Sequence, residues 1–197
     1  MSPAGASDPG LSAEARQRPR NVILIGYRGC GKTSVGRLLA ARLGWTLVDT
    51  DERIEAAAGR SIRDIFAQGG EAAFRRLEAD AIAQAARGTR QVISVGGGAL
   101  LSEDNRRALR AAGVRLWLTA PAEELYRRMR GDPRDARTRP ALTGRGGLDE
   151  VRHLLAERQP LYAELADHVV PTGQRSVEQV VEAILAALGR GGSPEIP

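Results

Sequence analysis

The run Gly26-Tyr-Arg-Gly-Cys-Gly31-Lys32-Thr33 follows the apolar segment Val22-Ile-Leu-Ile25 and opens a stretch with helical spacing. This is the pattern G-x-x-x-x-G-K-[ST] in the context that gives it meaning, between a strand and a helix. Its glycines let the backbone wrap an anion, with successive N–H groups pointing inward at a helix N-terminus. A strand covered on both faces and feeding such a turn belongs to a parallel sheet, so the expected fold class is α/β.

The motif also fixes chemistry. Lys32 offers a compact ammonium to the β- and γ-phosphates of ATP, and the Thr33 hydroxyl is placed to ligate Mg²⁺. Gly29, Cys30, Gly31 and Ser34 complete the cradle. Of the 29 Lys and Arg residues, 28 are Arg, and the lone Lys stands where a planar guanidinium would not fit.

The remaining chain alternates short apolar runs with amphipathic stretches, as βαβ units do. Expected strands are Val22–Gly26, Thr46–Asp49, Gln91–Val95, Val114–Thr119 and His168–Pro171. Expected helices are Thr33–Leu43, Ser61–Gln68, Glu71–Arg87, Glu103–Ala112, Pro121–Met129, Leu148–Leu165 and Val177–Leu188. Pro121 suits a helix N1 position, while Gly113 and Gly189 suit helix stops. Arg130–Gly147 is rich in Gly, Pro and Arg and has no period, which reads as a mobile lid.

At 197 residues the chain has the length of one domain. Residues 1–20 and 189–197 are dominated by small residues, Pro and charge, and read as disordered tails around a domain spanning 21–188. The pI near 10.3 reflects the preference for Arg over Lys. No basic block is interleaved with stacking aromatics, so nucleic acid is not an expected partner. No apolar run approaches the roughly 18 residues of a membrane span. A single cysteine cannot form an internal disulfide, which fits a reducing cytoplasm. His153 and His168 have no partner pattern and carry no assignment.

Asp49-Thr50-Asp51 ends the second strand, and period 2 would aim both carboxylates to one side of the sheet's carboxyl edge. One of them can hold Mg²⁺ through water, and the other can accept a hydrogen bond from an attacking hydroxyl. Helix capping by Thr50 or Asp51 is the plainer use of the same residues. Gly96-Gly97-Gly98 after the third strand admits a ligand close to the backbone, or else forms a loose turn. Arg75, Arg139 and Arg158 are unremarkable by themselves among so many arginines. Cys30 lies among inward N–H groups, where an accessible thiol would be activated toward alkylation.

Taken together, the P-loop, DTDERIE, GRSIRDIFAQGGEAAFRRLE, VISVGGGAL, RPAL and ERQPLYAELAD resemble the shikimate kinase family. The resemblance runs in order from about Asn21 to Leu188. It implies a nucleoside-monophosphate-kinase-like, three-layer α/β/α P-loop fold with a five-stranded parallel sheet. It further implies that Asp49 holds Mg²⁺ through water and that Asp51 binds the hydroxyls of shikimate. Arg75 and Arg158 would clamp the shikimate carboxylate, with Gly97 and Gly98 lining the same pocket. Arg139 would reach the transferring phosphate from the lid. RPAL stands where the family more often has RPLL, and the stretch before it, GDPRDART, is longer than expected. That length leaves the adenine contact open between Arg128 and Arg130. The implied enzyme is a cytoplasmic monomer with a small-molecule substrate and no membrane partner.

Overall fold

In the computed structural model, residues 20–132 and 147–189 are described. Five strands, β1 (Val22–Ile25), β2 (Thr46–Asp49), β3 (Gln91–Ser94), β4 (Val114–Thr119) and β5 (His168–Pro171), form one parallel sheet in the order β2-β3-β1-β4-β5. The helices among the described residues are α1 (Lys32–Leu43), α2 (Thr50–Ala58), α3 (Ile62–Arg87), α4 (Glu103–Ala112), α5 (Ala122–Gly131), α6 (Gly147–Leu165) and α7 (Val177–Gly189). Every residue of β1 is fully buried, as a central strand covered on both faces requires. Right-handed crossovers put α1 on one face, packed against α7, and α3 and α4 together on the other.

The strand order places the functional site. β1 leads to β2 on one side of the sheet, whereas its neighbour β3 leads to β4 on the other. Chains leaving adjacent strands in opposite directions open a crevice at the carboxyl edge, and α/β ligands bind there.

All five strands lie where the apolar runs predict. The two helices expected at Ser61–Gln68 and Glu71–Arg87 are one long helix broken at Gly70, whose φ of 67° and ψ of −176° are not helical. The break brings the rings of Phe66 and Phe74 to 4.8 Å. Both rings join Ile54, Ile62, Ile65 and Ala81 in an apolar cluster separate from the main core. Pro121 is the N-cap of α5 rather than its first helical residue. α5 continues through Gly131 and α6 begins at Gly147, so the ends of the expected lid are helical, and its residues 133–146 lie outside the described ones. The tail residues 1–19 and 190–197 also lie outside them. α7 reaches Gly189, the last residue described before that C-terminal segment.

One buried polar side chain ties the edge opposite the crevice. Asn21 is fully buried, and its Nδ2 donates to the carbonyls of Gly88 (2.9 Å) and Ala112 (3.0 Å). Its Oδ1 accepts from the Gln91 N–H at 3.0 Å, so one amide joins the starts of β1 and β3 to the ends of α3 and α4. A Cβ at Gly113 would stand 2.1 Å from the Asn21 carbonyl oxygen, which leaves room for glycine alone. Asn21→Ala would leave the Ala112 carbonyl buried without this partner, at about 1–3 kcal/mol, and take one bond from each of the half-buried Gly88 carbonyl and Gln91 N–H. The urea midpoint should fall clearly at an unchanged slope; an unchanged midpoint would mean that water replaces the amide.

Candidate active site

The cradle is built at the junction of β1 and α1. Gly31 caps α1 at φ 95°, a left-handed conformation open to glycine, and no side chain occupies the cap. The N–H groups at the start of α1 are thereby left for a ligand. Lys32 Nζ donates to the carbonyls of Gly26 (2.8 Å) and Tyr27 (3.0 Å). It thus folds back over the loop it follows and holds the ammonium at the cradle's mouth.

The Thr33 hydroxyl donates to Asp49 Oδ2 at 2.9 Å. Asp49 Oδ1 accepts from the N–H groups of Asp51 (3.1 Å) and Glu52 (3.4 Å), making Asp49 the N-cap of α2. This corrects the period-2 reading, because the strand stops at Asp49 and Asp51 sits in the first turn of a helix. Both carboxylates nevertheless border one cleft with Gly29, Gly31, Lys32, Thr33 and Ser34. With its proton committed to Asp49, the Thr33 oxygen keeps lone pairs for a cation. A hydroxyl and a carboxylate are hard oxygen donors, and a site with so few protein ligands suits Mg²⁺, which retains several waters and phosphate oxygens. No group of three or more His, Cys, Asp or Glu side chains forms a metal cage among the described residues.

An adjoining cleft is bordered by Asp51, Arg75, Glu78, Gly96, Gly97, Gly98 and Arg158, with Ile62, Phe66 and Phe74 as its apolar wall. It shares Arg28 and Asp51 with the phosphate cleft, so the two form one continuous site. Arg158, 8% exposed, projects from α6 with its guanidinium 5.6 Å from the centre of the Tyr27 ring. Arg75 donates through Nη1 to Glu78 Oε2 (2.7 Å), and through Nε (3.2 Å) and Nη2 (2.9 Å) to Glu71 Oε1.

Glu78 was not legible as a site residue. In FRRLE it reads as an ordinary surface ion-pair partner three residues from Arg75, yet it is 1% exposed. Burial pushes its carboxyl up and the nearby Asp51 charge pushes the same way, while Arg75 pulls it down; the net direction is upward. Burial acts to lower Arg75, but the charges and hydrogen bonds of Glu78 and Glu71 together outweigh it and hold the guanidinium above its usual value. The glycines after β3 are there for space. A Cβ at Gly96 would stand 2.9 Å from Glu78 Oε1 and 3.0 Å from Asp51 Oδ1, and one at Gly98 would stand 2.8 Å from Arg75 Nη2.

Cys30 departs from expectation. The residue borders a third cleft beside Gly31, Ser34 and Arg128, but it is only 1% exposed and its thiol belongs to the main core. Iodoacetamide should therefore label the native protein far more slowly than the urea-unfolded one, as intact mass would show; equal rates would place the thiol outside the core. Arg139 lies outside the described residues.

The comparisons agree with this geometry. The family model for shikimate kinase matches residues 28–189. The shikimate kinase of Symbiobacterium thermophilum is 49% identical over 172 residues, covering 87% of this chain and 98% of that protein. That of Nitratidesulfovibrio vulgaris is 46% identical over 167 residues, covering 85% and 94%. Among solved structures, the shikimate kinase from Acinetobacter baumannii in complex with shikimate superposes with a TM-score of 0.80 at 34% identity, covering 87% of this chain and 94% of that one. A gluconokinase from Sinorhizobium meliloti, at 18% identity and a TM-score of 0.52, shares the fold alone. With a matching family model over most of its length and relatives near half-identical across nearly their whole chains, this protein belongs to the shikimate kinase family.

Proposed function

We propose that this chain transfers the γ-phosphoryl group of ATP to the 3-hydroxyl of shikimate, releasing ADP and shikimate 3-phosphate. The observation that carries the reading is the continuity of two unlike clefts. One is a phosphate cradle with Lys32, and the other holds a carboxylate and two arginines, with Asp51 bordering both.

The division of labour follows from the side chains. Two guanidinium groups suit the planar carboxylate of the substrate, and Phe66 and Phe74 suit the apolar face of its ring. Asp51 accepts the hydrogen bond of the attacking hydroxyl and keeps it in line with the γ-phosphorus. As the new P–O bond forms, the bond to the β-phosphate oxygen breaks, the electron pair leaves with ADP, and the hydroxyl proton passes to the Asp51 carboxylate and on to water. Phosphoryl transfer through a loose transition state asks chiefly for alignment and charge neutralisation, and Lys32 with the α1 N-terminus answers the second need. Thr33 and Asp49, the latter through water, would hold Mg²⁺, whose contribution is to neutralise phosphate charge. Arg139 is assigned to the transferring phosphate on the RPAL motif alone.

For the adenine contact we favour Arg128 over Arg130. Arg128 is held by Glu124 (2.8 Å) and the Thr172 carbonyl (2.7 Å) and borders the clefts on both sides of the cradle. The guanidinium of Arg130 lies instead over the Tyr126 ring, 5.9 Å from its centre. No described helix is long and apolar enough to cross a membrane. Our reading remains a cytoplasmic monomer acting on a small molecule, without nucleic-acid or membrane partners.

Glu71 provides a sensitive test of the carboxylate site. It holds the Nε and Nη2 edge of Arg75, which a substrate carboxylate would need, so the two compete. The Glu71 side chain is 63% exposed, and such a pair is worth about 0–1 kcal/mol. Glu71→Gln should leave kcat unchanged and lower KM for shikimate by up to about fivefold, the factor that 1 kcal/mol represents. A raised KM would mean that Glu71 supports the site instead. Phosphorus NMR of the wild-type reaction should show one new monoester resonance, with ATP consumed only when shikimate is present.

A further inference from the structure

Tyr162 lies one helical turn beyond Arg158 on α6, outside the substrate cleft and 1% exposed. Its ring packs at a tilt against Trp117, 5.8 Å between centres. Burial pushes its phenol above the usual value, against the opposing pull of the neighbouring Arg158 guanidinium, and the hydroxyl keeps a proton to donate. That donor is spent on the Gly97 carbonyl, at 2.6 Å.

The consequence follows from peptide geometry. In a planar trans peptide the carbonyl of one residue and the N–H of the next point in opposite directions. The described residues contain no cis peptide bond. With the Gly97 carbonyl turned into the core toward Tyr162, the Gly98 N–H is turned away from the core. Gly98 borders the cleft beside the Arg75 guanidinium, and its N–H has no acceptor among the described residues. The neighbouring turn bonds use other groups, Ala99 N–H to the Gly96 carbonyl and Leu101 N–H to the Gly98 carbonyl. No side chain at Gly97 or Gly98 resists a peptide flip, so the Tyr162 hydroxyl is the contact that holds this orientation.

We infer that Tyr162 is a positioning residue for substrate binding, fixing the Gly97–Gly98 peptide so that the Gly98 N–H is presented to an anionic oxygen held beside Arg75. α6 then carries two parts of one device, Arg158 touching the substrate and Tyr162 setting a backbone donor for it. The inference rests on reading this cleft as the shikimate site.

The test is Tyr162→Phe, which keeps the ring and removes only the hydroxyl. Wild-type turnover of shikimate is measured first, and its absence would overturn the proposed function rather than this inference. With turnover established, the variant should bind shikimate about tenfold more weakly by calorimetry, the loss expected for one net hydrogen bond to a charged group. Its Kd for ADP should stay within twofold of wild type, as should kcat at saturating shikimate. Unchanged shikimate affinity would overturn the inference. Equal weakening of shikimate and ADP would also overturn it, because that marks a general structural role. The nitrogen-15 resonance of the Gly98 amide separates this role from an effect passed through Arg158, which also interacts with the Tyr162 hydroxyl: in the wild type it should move on adding shikimate and not ADP, and in the variant it should move less. Equal movement in both proteins, or none in the wild type, would overturn the proposal.

Discussion

Lys32→Ala should yield a folded protein whose kcat is at least about 100-fold below wild type, the usual loss when one preorganised charge-stabilising donor is removed from a transfer site. The fold should survive because Lys32 lies on the partly exposed side of α1, while Val35, Leu39 and Ala40 carry its packing. The loss has two sources. The ammonium no longer meets the β- and γ-phosphates, and the Gly26 and Tyr27 carbonyls lose the donor that closes the loop. Lys32→Arg should not restore turnover, because a planar fork cannot replace a compact ammonium inside a backbone nest. Circular dichroism and a coupled ADP-release assay measure the two halves of the prediction. Substantial turnover in the Ala variant would mean that this loop is not where phosphate is held.

The second large effect belongs to the carboxylate clamp. Arg158→Lys should raise KM for shikimate by about 10- to 150-fold, the equivalent of the 1.5–3 kcal/mol carried by a hydrogen bond to a charged group. The substitution keeps the charge but loses the fork and the guanidinium held 5.6 Å from the centre of the Tyr27 ring. KM for ATP should hardly move, since Arg158 borders only the substrate-side cleft. A carboxamide analogue of shikimate should be a poor substrate for the wild type and lose much less on going to the variant, because the interaction it lacks is the one removed. If shikimate and the amide share one kcat/KM in the wild type, the two arginines do not grip a carboxylate.

What the sequence alone reveals divides along physical lines. The central strands β1, β3 and β4 were legible because a sheet covered on both faces demands runs rich in Val, Ile and Leu, while the edge strands β2 and β5 stood out as short apolar runs between amphipathic stretches. The cradle was legible because its chemistry is local, with Gly31, Lys32 and Thr33 performing their parts within one turn of chain. α2 was half legible: Thr50 or Asp51 could be read as the cap of a helix starting at Glu52, whereas the cap is Asp49 and the helix opens at Thr50. The Gly70 break showed as a gap between two helical stretches, although the contact it allows between Phe66 and Phe74 did not.

Long-range burial was the least visible. Glu78 looks like any glutamate near an arginine until α3 packs it beneath Gly96. Cys30 looks like a loop residue facing its ligand, but the backbone turns its side chain into the core while the loop faces the phosphate site. The orientation of the Gly97 peptide depends on a hydroxyl 65 positions away in the chain, beyond the reach of any local pattern.

A carboxylate-reading kinase site should declare itself when shikimate, quinate and gluconate are offered side by side in a coupled ADP-release assay with MgATP. All three carry a carboxylate and hydroxyls, so only the shape and placement of the cleft distinguish them. ADP release should be rapid with shikimate, and kcat/KM for quinate and gluconate should be lower by at least about tenfold, the effect of a single 1.4 kcal/mol mismatch. Gluconate turned over as well as shikimate, or ADP released at one rate whichever acid is present, would contradict such a site.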